Sequence, residues 1–375
     1  MSTIADRIGK ESKMAVSSAE KKVRLLRIWL RVRKRWHAYN GNKKEVYVWD
    51  MIPLYRKIWE QTANDLRADF TELAEGVWEI RKGDRKTRIC GYKIQLDDPV
   101  LLDMAGNKSL CYDLMRRNGL PVPRYASFGF EAIDTARHFM EGAEGFFVVK
   151  PDRGTSSGLG ITTHVKTYRE CIRAIALASL YGKKLIIECL VPGESYRFLV
   201  LDNKVIHVSR RRGVRVQGDG ESTIAQLLAR NRSLKVRTDS GGADSGLVFD
   251  RDFDATLRSQ GLSPDSIPEK GRVILVKSFM RNGGVNAEVR TVYDEDVTDT
   301  VCDDLREKAI SAVKVIGSRM AGVDIITVDP AVSLEATGGV IIEINTTPGM
   351  HHHYRLPNDK GFQPVHQVLR FLLSE

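Results

Sequence analysis

The sequence predicts an α+β chain with more than one domain, and three observations support that prediction. The chain has 375 residues, 42% of them hydrophobic, which exceeds one typical domain length and can bury a large core. Segments with apolar residues at helical spacing alternate with short apolar runs that glycine and proline bound. The stretch 195–211 holds two such runs around Asp202-Asn203, which is typical of a tight hairpin.

The helices and strands of the body follow in order along the chain. Apolar residues at helical spacing predict helices over the stretches 54–66, 109–123 with a stop at Gly119, 167–182 and 301–320. Short apolar runs predict strands over 86–98 in two pieces around Gly91, 145–151, 183–191, 321–328 and 339–347. The stretch 230–271 is rich in Ser, Gly, Asp and Arg, and we expect a long loop with one short helix there.

The net charge of +10 belongs almost entirely to an N-terminal basic arm, residues 1–45. These residues hold 7 Lys and 6 Arg against 1 Asp and 3 Glu. Within the arm, Leu25, Trp29, Val32 and Trp36 recur at helical spacing between basic residues. Such a helix can lie on an acidic membrane surface, a polyanion or a partner protein. It can also pack its Trp stripe on the body of the same protein, which we favour because two Trp on one face are commonly core.

The sequence carries no sign of membrane insertion or secretion. No run of about 18 apolar residues exists, so no transmembrane span is expected. The polar start lacks the apolar segment of a secretory signal. The five cysteines are scattered and odd in number, without a Cys-x-x-Cys pair. We therefore expect reduced thiols in a cytoplasmic protein.

A glycine-rich loop, residues 152–162, follows the predicted strand that ends at Lys150 and Pro151. Backbone N–H groups in such loops can bind phosphate oxygens, and the ammonium of Lys150 would point at the same space. The loop matches neither G-x-x-x-x-G-K-[ST] nor G-x-G-x-x-G. A phosphate-binding loop and a plain surface hairpin are therefore both open.

Polar residues interrupt two apolar stretches near the C-terminus, 321–328 and 339–347. If the stretches pair as antiparallel strands around residues 333–334, Asp324 lies opposite Glu343, and Asn345 shares their face. Two adjacent carboxylates repel in a half-buried site, and a divalent cation between them removes that repulsion. Mg²⁺ prefers carboxylate and phosphate oxygens, and Asn345 adds a neutral one. The alternative, two solvent-facing acids on an edge hairpin, is disfavoured by the flanking isoleucines.

The order of these motifs along the chain resembles the ATP-grasp superfamily. Lys108, VVKP with Lys150, the glycine-rich loop, IIECLVPGESYRFLV, GDGESTIAQLL and the final D…EIN-x-x-PG pattern occur in one order. The similarity covers roughly residues 101–370. It is strongest to the ATP-grasp part of cyanophycin synthetase and to glutathione-synthetase and glutamate-ligase enzymes. The resemblance implies an α+β ATP-grasp fold, in which two α+β subdomains grip ATP behind a small N-terminal domain and a basic helical arm.

The resemblance also implies roles for individual residues. Lys108 and Lys150 match lysines that contact the ATP phosphates. The residues implied to bind ATP through the lid, the adenine hinge and the ribose site are Gly154, Ser156, Ser157, Gly158, Gly160, Glu188, Cys189, Leu190, Val191 and Glu194. The implied magnesium ligands are Asp324, Glu343 and Asn345. The implied catalytic residues are Arg211, Arg197 and Lys277, and the implied substrate contacts are Arg212, Gly349 and His353.

The activity implied by the resemblance is ATP-dependent ligation of an amino acid or small peptide to an amine, through an acyl phosphate. The implied cofactors are ATP and Mg²⁺, as two ions that Mn²⁺ can replace. Homodimers or tetramers are common among such enzymes, and no specific nucleic-acid recognition is expected. The implied domains are 1–45 (basic arm), 46–105 (N-terminal α/β domain), 106–192 (subdomain with the lid) and 193–375 (subdomain with the metal site). The alternative is an ATP-binding scaffold or regulatory protein recruited through the basic arm.

Overall fold

The computed structural model describes residues 20–32, 52–153, 160–211, 213–230, 251–277, 295–353 and 364–374. The α-helices are α1 (20–32), α2 (Ile52–Asp65), α3 (Pro99–Ala105), α4 (Lys108–Arg117), α5 (Asp134–Glu141), α6 (Tyr168–Ala178), α7 (Ile224–Arg230), α8 (Arg251–Ser259), α9 (Asp303–Ile316), α10 (Leu334–Thr337) and α11 (Pro364–Ser374). Short 3₁₀ helices lie at Phe130–Ala132, Thr298–Thr300 and Met350–His353.

The strands form four antiparallel sheets within the described residues. They are β1 (Asp69–Ala74), β2 (Val77–Lys82), β3 (Arg85–Cys90), β4 (Lys93–Ile94), β5 (Tyr125–Gly129), β6 (Phe147–Pro151), β7 (Thr162–Val165), β8 (Lys184–Cys189), β9 (Glu194–Leu201), β10 (Lys204–Arg211), β11 (Val214–Gln217), β12 (Val273–Lys277), β13 (Glu295–Asp296), β14 (Met320–Thr327) and β15 (Val340–Thr346). The sheet orders are β1-β2-β3-β4, β5-β8-β6-β7, β11-β12 and β13-β10-β9-β14-β15.

Most predicted elements are present, with ends that local backbone geometry explains. The predicted hairpin is β9 and β10, and Asp202 and Asn203 both have positive φ (44° and 62°), as a tight hairpin turn requires. The helix predicted over 301–320 is α9, which ends early because Gly317 adopts the left-handed conformation (φ 88°). The predicted plain loop between β14 and β15 instead contains α10, with Ser333 as its N-cap.

Contacts divide the chain into two compact units. Unit 1 comprises residues 1–44, 123–190 and 249–263, and unit 2 comprises residues 45–122, 191–248 and 264–375. The chain passes from unit 1 to unit 2 between Leu190 and Val191, inside the predicted adenine hinge. The four-domain division predicted from the sequence stays a prediction.

Unit 1 contains the sheet β5-β8-β6-β7 with α1, α5, α6 and α8. A capping box between Thr167 and Glu170 starts α6, whose buried face packs with β6 and β8 in one core. Helix α1 joins this core through Val23, with Leu26 and Leu30 beside it. The favoured interpretation of the arm is therefore wrong about the packed face, because these residues form a second apolar stripe and Trp29 is 53% exposed. Trp36 lies outside the described residues.

Unit 2 contains the other three sheets and a core in which helix α11 packs with α2 and β3. Trp59 and Trp78 are fully buried there, and Leu199, Met320 and Met350 connect the core to the five-stranded sheet. On β9, Arg197 lies two residues before Leu199, and on β14, Asp324 lies four residues after Met320, so the two charged side chains share the sheet face of these core residues. The candidate site is therefore on that face, farther along the same strands.

Candidate active site

Three charged side chains lie in one row across the five-stranded sheet. Arg197 on β9 is the register partner of Asp324 on β14, and Asp324 is the register partner of Glu343 on β15. Directly opposed residues of neighbouring strands share a face, so all three side chains emerge on the same side. The Nδ2 of Asn345 donates to Asp324 Oδ2 at 3.3 Å. The predicted register of Asp324 with Glu343, with Asn345 on the same face, is therefore confirmed.

A β-bulge lies next to Glu343 at the edge of the sheet. Asp324 pairs with Glu343 and the next residue, Ile325, pairs with Ile341, so Ile342 is the extra residue of β15. Its carbonyl accepts a hydrogen bond from the Tyr112 hydroxyl at 2.6 Å, and the N–H of Ile341 donates to the carbonyl of Pro121 at 2.9 Å. Helix α4 and the segment after it therefore cover the outer edge of β15.

The same helix places a lysine on Glu343. Lys108 is the first residue of α4, one turn before Tyr112, and its Nζ lies 3.1 Å from Glu343 Oε1. A cation at a helix N-terminus opposes the helix dipole, and this one is 8% exposed. Helix stability does not explain a lysine at this position, whereas the contact with Glu343 does.

Asp324 is held by a fork of two hydrogen bonds from Arg197. The Arg197 Nε and Nη2 atoms donate to Asp324 Oδ1 and Oδ2, each at 2.7 Å, and both side chains are about 95% buried. The Nη1 of Arg211 lies 3.7 Å from Asp324 Oδ2. Arg211 is 21% exposed, so its guanidinium can also meet a ligand.

The residues at this site fit a magnesium ion. A carboxylate offers about four lone-pair positions, of which Arg197 and Asn345 use three on Asp324. The carboxylate of Glu343 and the amide oxygen of Asn345 lie beside Asp324, and Mg²⁺ takes oxygens of these kinds together with phosphate oxygens and water. The side chain of Glu343 is 31% exposed, which leaves it accessible to an ion.

A second lysine–carboxylate pair lies in unit 1. Lys150 on β6 and Glu188 on β8 lie diagonally across the two strands, and Lys150 Nζ lies 2.8 Å from Glu188 Oε1. The two side chains are 5% and 6% exposed. The next polar residue, Asp152, is fully buried, and its Oδ2 lies 3.3 Å from Lys184 Nζ. Lys150 thus lies two residues before the glycine-rich loop, in the part of the chain that the structure describes.

The hinge after β8 is held by backbone hydrogen bonds. The N–H of Cys189 donates to the carbonyl of Arg124 at 2.9 Å, and the N–H of Leu190 donates to the carbonyl of Phe146 at 2.8 Å. Burial raises the pKa of the Cys189 thiol. Gly193 follows with φ 131°, and a Cβ there would lie 2.4 Å from the Thr327 carbonyl carbon, so only glycine fits.

No protein-family model matches the chain, but individual proteins do. It is 31% identical over 275 residues to the bifunctional glutathione biosynthesis protein of Enterococcus faecalis, covering 72% of this chain and 35% of that protein. It is 31% identical over 258 residues to the cyanophycin synthetase of Trichormus variabilis, covering 67% of this chain and 27% of that protein. The chain thus spans about a third of the length of these curated relatives.

A solved structure agrees with these relatives. The crystal structure of a bifunctional glutathione synthetase from Pasteurella multocida has a TM-score of 0.53 and 22% identity, over 82% of this chain and 41% of that one. The chain belongs to the ATP-grasp superfamily of ligases. The family and the α+β ATP-grasp fold predicted from the sequence are confirmed.

The ATP-grasp fold brings six of the predicted residues together in unit 2. These residues are Lys108, Arg197, Arg211, Asp324, Glu343 and Asn345. Glu194 is also in unit 2, where Arg215 Nη2 donates to its Oε1 at 2.5 Å. Val191 begins this unit's hinge segment, and Lys277 ends β12 opposite Val214. Their predicted roles stay predictions.

The remaining predicted residues fall in unit 1 or outside the described residues. Lys150, Glu188, Cys189 and Leu190 lie in unit 1, as does Gly160, where φ is 73° and an added Cβ would lie 2.9 Å from Pro151 Cγ. The residues outside the description are Gly154, Ser156, Ser157, Gly158 and Arg212.

The segment after β15 carries Gly349 and His353. Gly349 precedes the 3₁₀ helix Met350–His353, and His353 is fully buried. Its Nδ1 lies 2.8 Å from the Nδ1 of His207 on β10, whose Nε2 lies 3.7 Å from Asp296. The segment after β15 therefore contacts β10 through His353.

Sequence reasoning missed the residues that organise the site. The Tyr112 hydroxyl donates to the Ile342 carbonyl on β15, and His207 Nδ1 lies beside His353 Nδ1. The one available signal was the helical spacing of Lys108 and Tyr112, which places both side chains on one face of α4.

Proposed function

We propose that the chain is an ATP-dependent carboxylate–amine ligase, which joins an amino acid or small peptide to an amine through an acyl phosphate. The observation that supports this most is the row of Arg197, Asp324 and Glu343 with Lys108 on Glu343. Cationic and acidic side chains alternate along this row. A metal–triphosphate complex needs both, since acids bind the metal and cations bind the phosphates. The names of the relatives, a glutathione biosynthesis protein and a cyanophycin synthetase, support amide formation.

The first step activates the carboxylate. A substrate carboxylate oxygen attacks the γ-phosphorus of ATP, the bond from that phosphorus to the bridging oxygen breaks, and ADP leaves. Lys108 binds phosphate oxygens and reduces their negative charge as it redistributes. Asp324, Glu343 and Asn345 would hold Mg²⁺, which would supply Lewis-acid stabilisation of the phosphates.

The second step forms the amide. The amine lone pair attacks the carbonyl carbon of the acyl phosphate, a tetrahedral intermediate forms, and the nitrogen loses a proton as phosphate leaves. The guanidinium of Arg211 binds the substrate carboxylate and then the acyl phosphate. Arg197 is a positioning residue in this proposal, because its fork already binds Asp324.

Three arginines of β10 and β11, Arg210, Arg211 and Arg215, give one indication of the substrate. Glu194 and Glu295 bind Arg210, and Glu194 also binds Arg215, so acids of the chain neutralise these two guanidiniums. Arg211 has the buried Asp324 as its acidic neighbour and is directed at the site. We propose that the carboxylate to be activated binds at Arg211.

The proposal also includes the number of metal ions, the cellular compartment and the oligomeric assembly. We propose two ions at the metal site, which Asp324, Glu343 and Asn345 would hold, and Mn²⁺ in place of Mg²⁺ as an alternative. We also propose cytoplasmic ATP as the co-substrate and a homodimer or tetramer as the assembly. In the part of the chain that the structure describes, every helix is too short or too polar to cross a bilayer.

The test measures phosphate release from ATP with pools of amino acids and amines, and identifies products by mass. Added hydroxylamine converts an acyl phosphate to a hydroxamate, which reports the first step alone. The proposal expects amino-acid-dependent turnover that Glu343→Gln abolishes and that Glu335→Gln, an exposed acid of α10, leaves intact. Turnover that no carboxylate stimulates, with nucleotide still bound, would favour the scaffold alternative.

A further inference from the structure

Helix α1 is apolar on two sides. Its inner stripe, Val23, Leu26 and Leu30, lies at spacings of three and four residues and packs in the core of unit 1. A surface helix with one such stripe normally presents polar residues on the opposite side. The opposite side of α1 does not follow that pattern.

The outer stripe of α1 consists of four large apolar side chains. Leu25, Ile28, Trp29 and Val32 are 68%, 58%, 53% and 61% exposed. Their spacing of three, four and seven residues places them on one line that points away from the unit 1 core. A contiguous exposed apolar line of this kind marks an interaction surface rather than a scatter of single residues.

An arginine stripe runs along the edge between the two apolar sides. The guanidinium carbons of Arg24 and Arg27 lie 5.9 and 5.6 Å from the centre of the Phe130 ring, and Arg31 lines the same cleft. The Nε of Arg27 is buried and has no hydrogen-bond partner among the described atoms. Burial and, second, the charge of Arg31 lower the pKa of Arg27. An anion in the cleft would relieve both effects.

We propose that α1 binds the surface of an anionic membrane, with the outer stripe among the acyl chains and the arginine stripe on lipid phosphates. Helix α1 carries five basic residues against the single acid Glu20, so charge favours an anionic partner. A second copy of the chain would bring two such basic helices together, which disfavours self-association through this face. Trp29 lies at the border of the stripe, the position that Trp prefers at a membrane interface.

The test is flotation of the full chain with vesicles of phosphatidylcholine alone or of equimolar phosphatidylcholine and phosphatidylglycerol. We expect binding only to the anionic vesicles. The double variant Leu25→Glu/Val32→Glu should weaken it by at least about 100-fold, and Arg24→Gln/Arg31→Gln by roughly 20-fold. The matched control Val100→Glu/Val328→Glu changes two equally exposed apolar residues of unit 2 and should bind as the unchanged chain does.

Thermal unfolding of each variant checks that unit 1 is still folded. We expect it to be folded, because the outer stripe is not part of its core. The proposal is overturned if the anionic vesicles do not bind the chain, which would point to an acidic protein partner. It is equally overturned if the arginine variant loses binding while the apolar variant keeps it, since that result means adsorption by charge without insertion. Equal binding to neutral vesicles would also contradict it.

Discussion

The two lysine–carboxylate pairs of the chain differ in how open they are. In unit 1, Lys150 and Glu188 are 2.8 Å apart and 5% and 6% exposed, and we call them the closed pair. In unit 2, Lys108 and Glu343 are 3.1 Å apart and 9% and 31% exposed, and we call them the open pair. Both join a predicted phosphate-binding lysine to an acid, but only the open pair has an acid that an ion can reach in the structure described here.

This difference separates two functions of an ion pair. A buried pair compensates two charges that have left water, and removal of one leaves the other without compensation. An exposed acid keeps part of its hydration, so it can exchange the lysine for a metal without a large effect on the fold. The closed pair therefore holds its sheet together, whereas the open pair is poised for ligand binding.

The largest expected effect concerns the closed pair. Glu188→Gln removes the carboxylate that contacts the buried ammonium of Lys150, and we expect the free energy of unfolding to fall by about 3–5 kcal/mol. The double variant Lys150→Met/Glu188→Gln removes both charges and should recover most of the loss. Urea unfolding measures both. Equal stability of Glu188→Gln and the unchanged chain would show that the pair is not closed in solution.

The second effect concerns the open pair and is on turnover rather than stability. Glu343→Gln should lower ATP-dependent turnover by about 10²–10³-fold, because one charged ligand of the transition state is lost. The same variant should change the free energy of unfolding by at most about 1 kcal/mol. A large loss of stability with normal turnover would reverse the assignment of the two pairs.

The third effect compares the two arginines beside Asp324. Arg197→Lys loses the fork of two hydrogen bonds and should destabilise unit 2 by about 1.5–3 kcal/mol. Arg211→Lys should leave stability nearly unchanged and raise KM for the carboxylate substrate, because Arg211 is the more exposed of the two. Thermal unfolding and initial rates separate the two outcomes; identical behaviour of both variants would remove the distinction drawn between them.

The smallest effect concerns Asp219, whose carboxylate accepts hydrogen bonds and is not paired with a lysine among the described residues. Hydrogen bonds to its carboxylate lower the pKa of Asp219 from 3.8 to about 2. The largest contribution comes from the Ser222 hydroxyl, followed by the backbone N–H groups of Ser222 and Glu221. A lowered folded-state pKa means that this stabilisation is complete above pH 3.8 and is lost as the pH falls through about 2. Asp219→Asn should therefore be less stable than the unchanged chain at pH 7, and their unfolding curves should converge near pH 2. A constant difference over this range would contradict the shift.

Local patterns predicted the parts of the site that depend on one strand pair. The period of two along β15 placed Glu343 and Asn345 on one face, and the short separation of β14 and β15 made their antiparallel pairing the simplest arrangement. The hairpin of β9 and β10 was visible because Asp202 and Asn203 favour positive φ. These features need no knowledge of distant contacts.

Contacts between distant segments could not be predicted in the same way. Arg197 and Asp324 are 127 residues apart, and their fork exists because β9 lies between β10 and β14, an order that no local pattern encodes. His207 and His353 are 146 residues apart for the same reason. The packed face of α1 was mistaken because the helix has two apolar stripes, and the one with Trp29 attracted the interpretation.

The central claim is that Asp324, Glu343 and Asn345 hold the metal of a nucleotide complex. The most direct measurement is the anomalous scattering of crystals grown with ADP and Mn²⁺. We expect Mn²⁺ bound to the Asp324 and Glu343 carboxylates, with nucleotide phosphates beside Lys108. Manganese and nucleotide bound at other residues, with Glu343 still paired only to Lys108, would contradict the claim.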